Sequence, residues 1–152
     1  MTPMRGSCAC TRRSVIAVVA AAMSAAAMSA MASRAKAAAP PEHREFIAAA
    51  FRMRDEAVRT GDQAYGAVVV KDGRIIASSP SRVVLKKDWT AHAEREAIRE
   101  AQGRLGTADL SGCLLYSSSR PCQQCEGAAA TAHVSRMFYG PDAADAGSPR
   151  GS

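Results

Sequence analysis

The sequence is poor in aromatic residues: three Phe, three Tyr and one Trp make up 5% of its 152 residues. A chain of this length is long enough for one domain with a modest core. Because so few aromatic side chains are available, that core has to be built mainly from aliphatic residues. No internal repeat is visible along the chain. The composition therefore indicates one domain with a mostly aliphatic core.

Acidic residues are absent before residue 40, whereas five basic residues lie there: Arg5, Arg12, Arg13, Arg34 and Lys36. The formal net charge of the whole chain is +6. Removing those five from the 20 basic residues leaves 15 against 14 acidic residues, a net charge of +1. The remaining domain therefore lacks the basic surface that binding to nucleic acid requires, and a nucleic-acid partner is not expected.

Cysteines are too few and too unevenly placed for a disulfide framework. Cys8 and Cys10 lie in the N-terminal segment, which leaves Cys113, Cys122 and Cys125 in the rest of the chain. An odd number does not fit a small domain held together by disulfides. Cys113 begins an apolar run, and we interpret it as a core residue and not a ligand.

Residues 1–39 have the composition of an export signal. Arg12 and Arg13 precede an alanine-rich apolar run from Val15 to Met31, and two A-x-A cleavage sequences end at residues 37 and 39. The segment resembles a bacterial twin-arginine leader, so we expect an exported, periplasmic protein without stable membrane association after cleavage. The alternatives are an uncleaved membrane anchor, or a mis-assigned start codon and a cytoplasmic protein.

The rest of the chain divides into a domain over residues 40–147 and a C-terminal tail over 148–152. Helical periodicity predicts a first helix over 42–60, and a turn containing Asp72 and Gly73 joins two β-branched runs in a hairpin. Residues 79–88 are predicted to be a loop. Thr90 is expected to cap a second helix that ends at Gly103.

The second half of the domain continues the alternation of strands and helices. The patterns predict a strand over 113–117, a helix over 122–133 and a strand over 136–139, followed by a tail from residue 140. The order α-β-β-α-β-α-β predicts an α/β fold with a mixed sheet in three layers.

Two short motifs carry the chemistry: residues 90–94 (TAHAE) and residues 121–125 (PCQQC). Each is predicted at the start of a helix, where the helix dipole favours a thiolate over a thiol. An H-x-E sequence followed by P-C-x-x-C is the pattern of zinc deaminases. The motifs therefore predict a Zn²⁺ site with His92, Cys122 and Cys125 as ligands.

A zinc ion with three protein ligands keeps one position for water, whereas structural zinc usually has four ligands. Zinc lowers the pKa of bound water to about 7. Glu94 lies two residues from His92 and cannot easily share its coordination direction, so we expect Glu94 to carry the proton of that water to the substrate. Taken alone, C-x-x-C also fits a periplasmic thiol-disulfide protein. His43 and His133 have no partner pattern and are interpreted as surface or helix-end residues.

The chain resembles the cytidine deaminase-like superfamily, and in particular its guanine deaminase and tRNA adenosine deaminase branch. Both motifs carry this resemblance, together with residues 65–73 and 114–117. Residues 138–147 are most similar to guanine deaminases. The resemblance implies a three-layer α/β/α fold and a zinc-dependent hydrolytic deaminase of a nucleobase or nucleoside, often a homodimer. Its zinc-bound water would attack the amino-bearing ring carbon.

Four residues are candidate substrate contacts. The resemblance places Ser81 where the family usually has an Asn that orients the substrate, and it places Ala93 between the metal ligand and the carboxylate. Tyr65 and Trp89 are aromatic residues beside a glycine and at a loop end, and packing is the alternative role for both.

The resemblance also bears on the C-terminal end of the domain. The family sheet has five strands, and we expect only four here because no strand pattern follows residue 139. A shortened, catalytically impaired zinc-binding protein with the deaminase fold is therefore the alternative function.

Overall fold

The computed structural model describes residues 41–151. The predicted leader at residues 1–39 lies outside them. Four helices and five strands follow one another in this part of the chain. Their order is α1 (Pro41–Arg59), β1 (Gly66–Lys71), β2 (Arg74–Pro80), α2 (Val83–Lys86), α3 (Ala93–Leu105), β3 (Cys113–Ser117), α4 (Gln123–Thr131), β4 (Arg136–Tyr139) and β5 (Ala144–Gly147).

The five strands form one mixed sheet in the order β2-β1-β3-β4-β5. β1 pairs antiparallel with both β2 and β3, and β4 pairs antiparallel with β5. β3 and β4 are parallel, and α4 connects them, as a parallel pair requires a crossover. The mixed α/β sheet predicted from the sequence is confirmed.

Both faces of the central strand β1 are buried, which produces three layers. Val68 and Val70 pack with residues of α1 on one face. Ala67 and Val69 alternate with them and pack with residues of α3 and α4 on the other face. Most members of both clusters are aliphatic, as the shortage of aromatic residues predicted. Among residues 41–151, no helix is long and apolar enough to cross a membrane.

Gly66 brings α1 into direct contact with the sheet. A Cβ atom built on Gly66 would lie 2.2 Å from the backbone nitrogen of Arg54 and 2.3 Å from the carbonyl oxygen of Ala50. Any larger residue would therefore collide with the backbone of α1. This close approach fixes the distance between the helix and the first strand.

The expectation of four strands is wrong, because residues 144–147 form β5 along the free edge of β4. Gly140 and Ala143 both have positive φ angles, 71° and 48°, and the chain reverses direction between them. Strand pairing uses backbone groups, so a segment with little apolar content can form an edge strand. Sequence periodicity does not detect this kind of strand.

The predicted start and end of the second helix are also wrong. The N-cap of α3 is His92, because Thr90 instead forms hydrogen bonds with the carboxylate of Asp88 through its backbone N–H and its hydroxyl. The helix continues through Gly103 and ends where Gly106 adopts a positive φ angle of 65°. The short helix α2 lies inside the predicted loop 79–88.

Candidate metal centre and adjacent cleft

Two helix N-termini meet beside the carboxyl end of β3 and bring the two sequence motifs together. His92 is the N-cap of α3, and Cys122 is the N-cap of α4. Both residues have extended backbone angles, and neither side chain caps its own helix. Their side chains are therefore available to a shared site, which Cys125 joins from the first turn of α4.

The three predicted metal ligands form a compact triangle. His92 Nδ1 lies 3.6 Å from Cys122 Sγ and 3.4 Å from Cys125 Sγ, and the two sulfur atoms are 3.4 Å apart. In a tetrahedral zinc site with usual Zn–S and Zn–N bond lengths, the ligand atoms are separated by roughly 3.5–3.8 Å. Two sides of the triangle are slightly shorter than this range, and its N/S donor set is one that zinc prefers.

The two thiols differ in their surroundings. Cys125 is buried, whereas Cys122 is exposed and lines a cleft. Burial raises the pKa of the Cys125 thiol, and the nearby carboxylate of Glu94 raises it further. A bound cation acts in the opposite direction and favours the thiolate. Cys113 is buried in the core and lies outside the triangle, as the sequence predicted.

Glu94 lies in the first turn of α3 with its carboxylate directed at the site. It is 4% exposed, and the hydroxyl of Ser117 donates a hydrogen bond to its Oε1 at 2.9 Å. Its Oε2 lies 3.6 Å from Cys125 Sγ. A buried carboxylate therefore lies beside the three candidate ligands, where it can exchange protons with a ligand in the cleft.

A cleft of about 570 Å³ opens onto these groups. Its lining combines the candidate site residues with polar side chains from two loops. The lining residues are Gln63, Tyr65, His92, Glu94, Ser119, Arg120 and Cys122. The volume falls within the range of roughly 300–1,000 Å³ that is typical of small-molecule sites.

Of the four candidate substrate contacts, Tyr65 is the one that lines the cleft. Ser81 is buried, and its hydroxyl donates a hydrogen bond to Asp62 Oδ1, which directs it toward a loop. Trp89 is 66% exposed, and Ala93 is fully buried at the start of α3; neither is among the residues that line the cleft. Substrate contact by these residues stays a prediction.

Sequence reasoning did not identify Gln63, Ser119 or Arg120 as lining residues. Gln63 follows α1 in a loop, and no pattern distinguishes it from a solvated residue. Ser119 and Arg120 directly precede the second motif, so their position beside Pro121 was the available signal.

The two remaining histidines lie away from the site. His133 is an exposed residue at the end of α4, as predicted, with Nδ1 3.3 Å from Asp109 Oδ1. His43 lies in the first turn of α1, as predicted for a helix-end residue. Its Nδ1 lies 2.8 Å from the hydroxyl oxygen of Tyr116, and its ring lies 4.4 Å from that of Phe138.

Proteins similar to this chain include zinc-binding deaminases. Residues 40–141 match the model of the family described as the cytidine and deoxycytidylate deaminase zinc-binding region. The chain is 43% identical over 109 residues to guanine deaminase of Bacillus subtilis, covering 69% of this chain and 70% of that protein. It is 38% identical over 94 residues to the tRNA-specific adenosine deaminase of Aquifex aeolicus, covering 62% of each.

The fold agrees with that of solved structures. The X-ray structure of the guanine deaminase from Bacillus subtilis superposes with a TM-score of 0.62 and 43% identity, over 64% of this chain and 62% of that one. Together with the family match, the comparisons confirm the resemblance drawn from the sequence and establish Zn²⁺ as the family's metal. The chain belongs to the cytidine deaminase-like family of zinc-binding deaminases.

Proposed function

We propose that this protein is a zinc-dependent hydrolytic deaminase of a nucleobase or nucleoside. The observation that carries the proposal is the position of Glu94, whose buried carboxylate lies beside the triangle formed by His92, Cys122 and Cys125. All but Cys125 also line the cleft. Metal ligands, a proton carrier and space for a small molecule therefore occur together.

The metal and the carboxylate have separate tasks in this reaction. His92, Cys122 and Cys125 would hold the zinc, which would supply a Lewis acid to activate water for attack on the amino-bearing ring carbon. Glu94 accepts a proton from the attacking water at Oε2, while Ser117 holds Oε1. Glu94 then delivers this proton to a ring nitrogen, takes the second proton of the water from the hydroxyl now on the ring carbon, and delivers it to the departing amine, which leaves as ammonia. The substrate loses ammonia and gains a carbonyl oxygen.

Sequence similarity to known deaminases, and not the lining of the cleft, indicates which base is the substrate. The 43% identity to a guanine deaminase favours guanine or a related base. A tRNA substrate, as in the adenosine deaminase relative, is disfavoured because the chain after residue 40 has a net charge of only +1.

Two further parts of the proposal concern location and assembly. The twin-arginine pattern at residues 12–13 and the apolar run that follows support export to the periplasm. A homodimer, which the family resemblance implies, is the expected assembly. Fractionation of cells that produce the full chain, followed by size-exclusion chromatography with light scattering, tests both.

Metal analysis and an ammonia-release assay on the full chain test the activity. We expect about one zinc per chain and release of ammonia from at least one member of a panel of guanine, cytosine, adenine and their nucleosides. Zinc without turnover on any of them would support the impaired alternative. A metal-free protein with Cys122 and Cys125 oxidised would support a thiol-disulfide function instead.

A further inference from the structure

The turn that leads into His92 is held by the side chain of Asp88. Asp88 Oδ1 accepts a hydrogen bond from the backbone N–H of Thr90 at 2.8 Å, and Oδ2 accepts one from the Thr90 hydroxyl at 3.1 Å. The carbonyl oxygen of Asp88 accepts a third hydrogen bond, from the backbone N–H of Ala91, at 3.0 Å. An aspartate that bonds the backbone two residues ahead mimics a backbone turn. The conformation of residues 88–91 therefore depends on Asp88.

Both ends of this turn are attached to the short segment that contains α2. The backbone N–H of Asp88 donates a hydrogen bond to the carbonyl oxygen of Val83 at 3.1 Å. The carbonyl oxygen of Ala91 accepts one from the backbone N–H of Arg82 at 3.0 Å. Ala91 is fully buried and directly precedes His92. These contacts therefore fix the point of the backbone from which the candidate ligand extends.

The imidazole of His92 depends on this backbone for its position. Within residues 41–151, its ring forms no hydrogen bond other than the contacts of Nδ1 with the Sγ atoms of Cys122 and Cys125. A metal-binding histidine usually donates its second ring N–H to a carboxylate or a carbonyl group, which holds the ring. No protein group in the described part of the chain does this for His92. The direction of the ligand is therefore set by the turn before it and by the start of α3.

We propose that Asp88 is a positioning residue for the zinc site. By holding the backbone N–H and the hydroxyl of Thr90, it keeps His92 at the N-cap of α3, where Nδ1 contacts both candidate cysteine ligands. Asp88 is not among the residues of the triangle or of the cleft lining, so it acts through His92 and not on the substrate. Replacing a residue that holds a metal ligand lowers metal affinity by roughly 10–100-fold.

The experiment measures the zinc affinity of the full chain by competition with a chelator of known affinity. We expect Asp88→Ala to bind zinc about tenfold more weakly than wild type, because Asp88 holds the backbone and not the ring itself. Asp88→Asn should recover part of this loss. Its amide oxygen can still accept the hydrogen bond from the backbone N–H of Thr90, whereas its NH₂ group cannot accept one from the hydroxyl. Thr90→Val, which loses only the hydroxyl, should show a similarly small loss.

Asp109→Ala is the matched control, because Asp109 makes the same kind of turn away from the metal site. Its Oδ1 accepts hydrogen bonds from the backbone N–H of Ser111 at 2.9 Å and from the Ser111 hydroxyl at 2.6 Å. Urea titration of the metal-free variants measures how much each turn contributes to stability. We expect both alanine substitutions to lower the urea midpoint, but only Asp88→Ala to lower zinc affinity.

Unchanged zinc affinity in Asp88→Ala, an equal loss in Asp109→Ala, or a loss in Asp88→Asn as large as in Asp88→Ala would each overturn the positioning role. If Asp88→Ala does not fold, Asp88→Asn and Thr90→Val decide, and wild-type zinc affinity in both would overturn it.

This inference rests on the proposed function only through its zinc site, and zinc affinity is measured without any substrate. The two can therefore fail separately. The expected order of zinc affinities with no turnover on any base would overturn the proposed function alone. Turnover by wild type with equal zinc affinity in all variants would overturn only the role of Asp88.

Discussion

The hydroxyl of Ser117 donates a hydrogen bond to Glu94 Oε1 at 2.9 Å. Ser117 is the last residue of β3 and fully buried, and Glu94 lies in the first turn of α3. The sheet therefore fixes the orientation of the carboxylate that we propose as the proton carrier, and it leaves Oε2 directed toward Cys125.

Ser117→Ala should lower kcat while KM and zinc content stay near the wild-type values. The carboxylate loses its fixed orientation, and loss of a buried hydrogen bond of about 1–2 kcal/mol corresponds to a decrease of roughly tenfold. Ser79→Ala is the control, since Ser79 is also buried but its hydroxyl donates to the backbone carbonyl of Pro80 and not to Glu94. Equal kcat in Ser117→Ala and wild type would argue against the positioning role.

Gly66→Ala should destabilise the fold severely. The new Cβ would overlap the backbone of α1 at Arg54 and Ala50, and backbone atoms cannot rotate away as a flexible side chain can. We expect a loss of about 3 kcal/mol or more in the free energy of unfolding, measured by urea titration. Gly103→Ala in α3 meets no atom within 4 Å and should instead stabilise by about 0.5–1 kcal/mol. Similar stability of the two variants would contradict the close approach.

Asp62 lies in the loop after α1, and its side chain links this loop to α2 through hydrogen bonds. Its carboxylate accepts hydrogen bonds from the backbone N–H groups of Val84 and Leu85 and from the hydroxyl of Ser81. Burial acts to raise the pKa of Asp62, but the hydrogen bonds outweigh it and the pKa lies below its usual value. The ionised carboxylate therefore stabilises the native state above the pKa of the unfolded chain, and this contribution is lost as the pH falls through the native pKa.

Asp62→Ala should consequently cost about 1 kcal/mol at neutral pH, as loss of a helix-capping carboxylate does. The difference from wild type should shrink as the pH falls below about 4, the ordinary pKa of an aspartate, because the unfolded chain then takes up a proton before the native carboxylate does. Urea titrations of both metal-free proteins across this range measure it. A difference that does not change with pH would show that the charge of Asp62 has no part in the effect.

Cys125→Ala should abolish zinc binding, whereas Cys113→Ala should retain it. Both thiols are buried, but Cys125 belongs to the triangle with His92 and Cys122, and Cys113 packs in the core. Zinc content by atomic emission after gel filtration distinguishes the two. Zinc retained at about one per chain in Cys125→Ala would contradict the assigned ligand set.

The metal ligands could be predicted from the sequence because each lies at or near a helix start whose local pattern is visible. The hairpin was equally predictable, since Asp72 and Gly73 both adopt the positive φ angles that this turn requires. β5 could not be predicted, because its pairing with β4 depends on backbone groups and not on an apolar pattern.

The cleft lining and the surroundings of His43 depend on contacts between distant parts of the chain. Gln63 and Arg120 reach one cavity from loops 57 positions apart in the sequence. His43 meets Tyr116 only because α1 packs on the sheet. The hydrogen bond from the Ser81 hydroxyl to Asp62 is another such contact, and the role of Ser81 in substrate contact stays a prediction.

Turnover of Glu94→Gln at measured zinc content tests directly whether Glu94 carries the proton in a zinc-dependent deamination. We expect unchanged zinc content and a decrease in kcat of at least about 100-fold on the best substrate. Glu100→Gln, in the same helix and in an ion pair with Arg104, should retain both the zinc and the turnover. Full activity in zinc-loaded Glu94→Gln would show that Glu94 does not carry the proton.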